Sequence, residues 1–207
     1  MAAESQSTPE PKVDGWRLLG TRDFGCLWAG QVVSQIGDGL NKVALLWFVY
    51  EMTGSALKMT AIGLLQTIPP LVFGPLIGVY LDYLPKKTVM IVVDLLRTLM
   101  VLLIPLFYAF DMLTLERLYV LVFLISIVST IFGPALASAV PLIVQRSQLT
   151  TANAFLQSTT NIGVLLGPAM SGLGIALIGA QNVLYVDAAT FFVSALFLLP
   201  IRVRDSR

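Results

Sequence analysis

Between Lys58 and Asp82 the sequence runs 23 residues, Met59 to Leu81, without a charged side chain. A helix of that length rises about 1.5 Å per residue and reaches across a hydrocarbon core of roughly 30 Å. A longer uncharged run, the 40 residues from Ser147 to Val186, is too long for one crossing and must fold back. Few architectures accept such runs. In lipid every backbone amide must find its partner within the protein, which leaves helices or closed barrels. Uncharged runs of this length, without period-two alternation, select helices.

Composition agrees: 57% of the 207 residues are hydrophobic and 12% are charged, against about 25% charged in soluble domains. The expected class is an all-α membrane protein, with the lipid bilayer as its first partner. Six spans are expected: Phe24 to Tyr50, Ala56 to Leu81, Thr88 to Phe110, Leu118 to Val140, Thr151 to Ile178 and Val183 to Leu199. Pro85, Pro141 and Pro200 fall at span ends, where a missing backbone donor costs least. Gly179 to Asn182 is the expected turn in the longest run. Residues 1–23 are polar and read as a disordered cytoplasmic arm, with no signal peptide. Residues 24–200 form the bundle, and 201–207 begin a cytoplasmic loop or tail.

Loop charges predict orientation. With the N-terminus inside, Lys12, Arg17, Arg22, Lys86, Lys87, Arg146, Arg202, Arg204 and Arg207 lie on the inner side, and only Lys58 and Arg117 on the outer. Basic residues near span ends stay in the cytoplasm, so both termini are expected there. The basic residues are scattered through the loops, which predicts no nucleic-acid partner. The single cysteine, Cys26, excludes a disulfide framework within one chain, and there is no histidine. An intramembrane enzyme with a histidine dyad or a zinc site is therefore disfavoured, and neither a cofactor nor a metal is expected.

Residues 118–200 resemble residues 24–110 at an offset of 93: Gly74-Pro75 falls on Gly167-Pro168, Gly78 on Ser171, and Asp94 on Asp187. Three spans separate the copies, so the second lies upside down. Two inverted three-helix repeats are the mark of secondary transporters.

A polar side chain at membrane depth needs a partner or a function. In the first span Gln31, Gln35, Asp38 and Lys42 follow at spacings of four, three and four, one face of a helix. They are candidates for a substrate- or proton-facing stripe, unless Asp38 and Lys42 simply neutralise one another as an i,i+4 pair. Asn153, Gln157 and Asn161 make a similar stripe in the fifth span. Ser126, Ser129, Thr130 and Gly133 are the polar and small residues of the fourth, which has no charge. Asp94 and Arg97 in the third span read as a local structural pair. Asp187 falls near the outer end of the sixth and has no assigned role.

With these residues in view the chain resembles the N-terminal six-helix half of a major facilitator superfamily permease, from Phe24 onward. The family's turn after the second span matches Gly78, Asp82, Lys86 and Lys87, with Tyr83 and Pro85 departing from it. In the family this turn latches the inner gate. The fifth-span motif of exporters matches Gly163, Gly167, Pro168, Ser171 and Gly172, with serine in place of one glycine. Gln35 to Leu40 and Leu46 to Tyr50 are similar to exporters of macrolides, siderophores and other amphipathic compounds. The fourth span lacks the arginine of many proton-coupled members. The resemblance implies a half-unit of an efflux transporter or antiporter in the plasma membrane, working by alternating access on a small amphipathic substrate. It also implies a second six-helix half, as a homodimer or a separate C-terminal half. The alternative is a six-helix fragment or assembly module that transports nothing.

Overall fold

A computed structural model describes residues 15–81 and 83–202, with the side chain of Val79 left out. Among the described residues the chain is helical and has no strand. A short helix, α1 (Gly15–Leu19), precedes six long ones: α2 (Arg22–Thr53), α3 (Ala56–Leu81), α4 (Lys86–Ala109), α5 (Leu115–Ile143), α6 (Leu149–Ile178) and α7 (Ala180–Leu198). The last five are long and apolar enough to cross a membrane. The exception, α2, is longer still but carries Asp23, Asp38, Lys42 and Glu51 along its length. Helices α5 and α6, of 29 and 30 residues, exceed the roughly 20 residues a bilayer needs, so they tilt or project from it.

The helices begin and end near the expected positions, with three corrections. The polar arm is not without structure up to Phe24: α1 buries Leu18, and α2 already starts at Arg22. Residues 1–14 lie outside the described residues. The turn expected over Gly179 to Asn182 is Gly179 alone, at φ 81°, with α7 starting at the next residue. That left-handed region is strained for any side chain with a Cβ, so a single glycine makes the reversal. Pro141 lies inside the last turn of α5 rather than beyond it. The start of α5 is capped by Thr114, whose hydroxyl accepts from the Arg117 amide at 3.3 Å.

The interior divides into two apolar cores with a polar waist between them. One core, at the end holding the described termini, gathers Leu18, Phe24, Leu27, Met90, Val93, Ala139, Leu156 and Leu198. The other gathers Leu45, Phe48, Val101, Ile104, Leu118, Val122, Leu184 and Phe191. Along α2, α4 and α5, the interval between the two sets holds Gln31, Ser34 and Asp38, then Asp94 and Arg97, then Ser126, Ser129 and Thr130. In the sequence these residues punctuate apolar runs; in the fold they form one layer.

Packing sets which helices enclose that layer. The most extensive contacts join α2 to α7 and α6, α4 to α7 and α5, and α3 to α5. Of the five apolar helices α4 and α7 are the most buried within the bundle, α3 and α6 the least. The last two therefore present apolar faces outward, through Leu64, Leu71 and Leu76 on α3 and Ile162, Leu165, Leu173 and Leu177 on α6.

Candidate functional site

Helix α2 runs through the waist and is held on two sides. On one side it touches α6 backbone to backbone: a Cβ built on Gly39 would lie 2.6 Å from the Cα of Gly167, far inside van der Waals contact. Gly163 lies against Gln35, and Ser171 Oγ donates to the Leu40 carbonyl at 2.9 Å. Small residues at spacing four thus let the two helices approach, as in other membrane helix pairs. Serine at position 171, where the exporter motif has glycine, adds a buried hydrogen bond. Gly172 and Gly78 play no such part, since a Cβ at either would meet nothing within 4 Å. Nearer the termini Trp28 Nε1 donates to Thr159 Oγ1 at 3.0 Å, a second tie between α2 and α6.

On its other side α2 meets α4 and α7 through charge. Arg97 on α4 donates to Asp38 on α2, and its other terminal nitrogen is 3.7 Å from Asp94 Oδ1. The guanidinium also lies 3.7 Å over the Phe191 ring. Asn41 donates to Asp187 of α7. The alternative of a local Asp38–Lys42 pair is set aside: Asp38 is paired across helices with Arg97 rather than with Lys42 one turn away. Asp187, to which the sequence assigns no role, is fully buried with a side-chain amide as its partner. The local Asp94–Arg97 pair is present, as the longer half of a three-residue arrangement.

The face of α2 between these ties opens onto a cavity of ≈ 440 Å³. Its walls come from α2 (Gln31, Ser34, Gln35, Asp38, Asn41 and Lys42), α3 (Gln66 and Pro70), α4 (Arg97), α5 (Ser126, Ser129, Thr130 and Gly133) and α6 (Thr160 and Val164), with Phe191 of α7 behind. All four residues of the first-span stripe reach it. Of the fifth-span stripe, Asn153 and Gln157 line a second, shallower groove of ≈ 500 Å³ between α5 and α6. The two spaces share Gly133, Leu136 and Thr160. Asn161 lines neither and accepts from Gln157 Nε2 at 3.0 Å. Thr160, Gln66, Ser34 and Arg97 also line the cavity; the sequence pattern alone does not single them out for it, and the one signal for Arg97 is a charge within a span.

Chemically the cavity offers mixed recognition. Gln31 Oε1 and Gln66 Nε2 are buried without hydrogen-bond partners among the described residues. Such groups are costly unless something in the cavity meets them. Leu45, Pro70, Val122, Ile125 and Phe132 supply apolar wall. Lys42 adds a positive charge with no ion pair among the described residues, one helical turn from the Asp38 carboxylate, whose side chain is 31% exposed. An apolar pocket with a few converging polar groups is the usual form of a small-molecule site.

Of the expected gate turn, Asp82 lies outside the described residues. Lys86 Nζ donates to the Leu81 carbonyl at the end of α3, and Lys87 Nζ to the Leu199 and Ile201 carbonyls at 2.6 and 2.8 Å, beyond α7. Both ammonium groups satisfy carbonyls left open where helices end.

Comparison with known proteins agrees with this architecture. The family model described as "Transmembrane secretion effector" matches residues 14–206. Macrolide efflux protein A of Streptococcus pyogenes is 30% identical over 194 residues, covering 93% of this chain and 46% of that protein. Multidrug efflux pump Tap of Mycolicibacterium fortuitum is 31% identical over 192 residues, 88% of this chain and 45% of the pump. An uncharacterized MFS-type transporter, YfiS of Bacillus subtilis, is 31% identical over 177 residues, 84% of this chain and 41% of its own length. The chain spans about half the length of the curated relatives it matches. With its apolar helices and a match over nearly its whole length, this chain is a multi-pass membrane protein that belongs to the transmembrane secretion effector family of the major facilitator superfamily.

Proposed function

We propose that the chain is the N-terminal six-helix unit of a secondary-active exporter, which moves a small amphipathic molecule across the plasma membrane by alternating access. The cavity beside Gln31, Gln35, Asp38 and Lys42 is the observation that carries this reading. A polar stripe in an oily bundle is stable where it borders a path for solutes. The relatives' names, a macrolide efflux protein and a multidrug efflux pump, support an amphipathic substrate and outward direction.

In this reading all six long helices cross the bilayer, α2 included, with both termini in the cytoplasm. Helices α2–α4 and α5–α7 are inverted repeats, and the offset of 93 residues that superposes Asp94 on Asp187 supports it. A second six-helix half closes the open side of the cavity. The lightly buried faces of α3 and α6 and the open space beside Gly78 and Gly172 give such a half a surface to meet. Gly78, Asp82, Lys86 and Lys87 form the inner gate. Of the fifth-span motif Gly163, Gly167, Pro168, Ser171 and Gly172, the residues Gly163, Gly167 and Ser171 set the α2–α6 crossing on which α2 moves. Asn153, Gln157 and Asn161 face the second half or the groove leading to the cavity.

Reconstitution tests it. The chain is placed in proteoliposomes, alone and with a C-terminal six-helix half from a relative, and an amphipathic macrolide is loaded under a proton gradient. Gradient-dependent flux is expected from the pair, or from the chain alone if it pairs with itself. Absence of flux in both preparations, with the helices folded, overturns the proposal.

A further inference from the structure

Lys42 is an exposed ammonium past the middle of α2, facing the cavity with no ion pair among the described residues. The carboxylate one turn away, Asp38, is engaged by Arg97. Asp94 and Asp187 have no accessible surface and do not line the cavity. The residues that line it from α3, α5 and α6 are all uncharged. An ammonium at membrane depth is costly unless something meets it, and what lies in front of Lys42 is the cavity.

The cavity surface thus carries two cationic side chains, Lys42 and Arg97, against the single carboxylate of Asp38. A basic group on a ligand would have to take Asp38 from Arg97. An acidic group meets Lys42 without breaking any contact. The ammonium also stands where two kinds of wall join. On the side of the termini the cavity is polar, with Gln31, Ser34 and Gln35. One turn beyond Lys42 comes Leu45, which with Val122 and Ile125 belongs to the apolar core at the other end of the bundle and lines the same cavity. The volume of ≈ 440 Å³ lies in the range of sites that enclose small organic molecules.

We propose that Lys42 is the specificity-determining residue of this cavity and that its ligand is an acidic amphiphile, a carboxylate, sulfonate or phosphate ester on a hydrophobic body. The acid accepts from the Lys42 ammonium while the body lies against Leu45, Val122 and Ile125. An ammonium is a compact charge with three rotatable donors and imposes no planar geometry on the oxyanion. Lys42 therefore selects the sign of the charge, and the apolar wall selects the body. A neutral amphiphile fits the same wall without the ion pair. This inference rests on the proposed reading of the cavity as the substrate site, but not on the direction of transport.

Fluorescence titration of the 207-residue chain in phosphatidylcholine nanodiscs, with empty nanodiscs as the blank, tests it. The two probes share an apolar body: anilinonaphthalene sulfonate is anionic, and phenylnaphthylamine lacks the sulfonate. Saturable binding of the sulfonate is expected. Lys42→Met should weaken it about fivefold, the upper end for an exposed ion pair because the cavity walls exclude part of the water, and should leave phenylnaphthylamine unchanged. Lys42→Arg should retain the sulfonate. Lys58→Met, at a lysine that does not line the cavity, should change neither probe. Added salt gives a reading that needs no variant, since it should weaken the sulfonate and spare the uncharged probe. No saturable sulfonate binding, binding indifferent to Lys42→Met or to salt, or equal loss of both probes overturns the proposal. Sulfonate binding that depends on Lys42, without gradient-driven flux, would leave this site standing and remove the export reading; flux indifferent to Lys42→Met would do the opposite.

Discussion

The crossing of α2 and α6 makes a prediction of sign as well as size. A methyl group added at Gly39 would meet the Cα of Gly167 at 2.6 Å, and one added at Gly167 would meet the Cα of Gly39 at the same distance. Ordinary carbon contacts begin at about 3.5 Å, so the helices must part by nearly 1 Å. The obstacle is backbone, which cannot swing aside. Overpacking of this kind costs about 1–3 kcal/mol. The shift also strains the Ser171–Leu40 hydrogen bond, which contributes about 1 kcal/mol. Gly39→Ala and Gly167→Ala should each destabilise by about 2–3 kcal/mol on that basis. The double variant should cost less than the sum, because the helices part only once. Gly172→Ala is the control: its added methyl meets nothing within 4 Å, and alanine in place of helical glycine stabilises by about 0.5–1 kcal/mol. Reversible unfolding of the four variants in mixed micelles, followed by circular dichroism, measures all of these. Equal effects at positions 39 and 172, or full additivity of 39 with 167, would refute the close crossing.

Other substitutions probe separate contacts. Arg97→Met strands the buried Asp94 carboxylate and should cost about 3–5 kcal/mol, whereas Lys42→Met, at a cavity cation without an ion pair among the described residues, should stay within about 0.5 kcal/mol; chemical denaturation compares them. Ser171→Ala should lose about 0.5–1.5 kcal/mol, while Ser171→Gly, which restores the exporter motif, should lose somewhat more through the backbone entropy of glycine. Lys87→Met removes the ammonium that bridges α4 to the carbonyls of Leu199 and Ile201, and hydrogen exchange should then quicken at the end of α7 with little change elsewhere.

Much of this molecule is legible along the chain because a bilayer leaves little choice. Uncharged runs mark α3 and α6 directly, and α3 occupies the expected Ala56–Leu81. The spacing of Gln31, Gln35, Asp38 and Lys42 places them on one face, and all four line one cavity. What the spacing does not carry is which neighbour that face meets. Asp38 has Lys42 one turn away, yet its partner is Arg97, 59 positions along the chain. Local periodicity describes a helix, while the rotation and approach of the next helix decide the pairing. The same limit explains Asn161. Gly39, Gly167 and Ser171 fix the rotation of α6, and that rotation turns Thr160 and Val164 to the cavity. Asn161, about 100° further round from Thr160, is carried off it. Asp187 has no assignable role from its place near a helix end, but the packing of α7 against α2 and α4 buries it completely.

The central claim is that water and solutes reach the polar stripe of α2. Cysteine labelling tests it most directly, since Cys26 is the sole native cysteine and can be replaced by serine. Single cysteines at Gln35 and Lys42 report on the cavity, and cysteines at Leu71 and Leu165 report on the outward apolar faces. In membranes a small water-borne thiol reagent should modify the first two rapidly and the last two slowly, and an amphipathic macrolide should protect the first two. If Gln35 and Lys42 react no faster than Leu71 and Leu165, the stripe is sealed and the cavity is not a path.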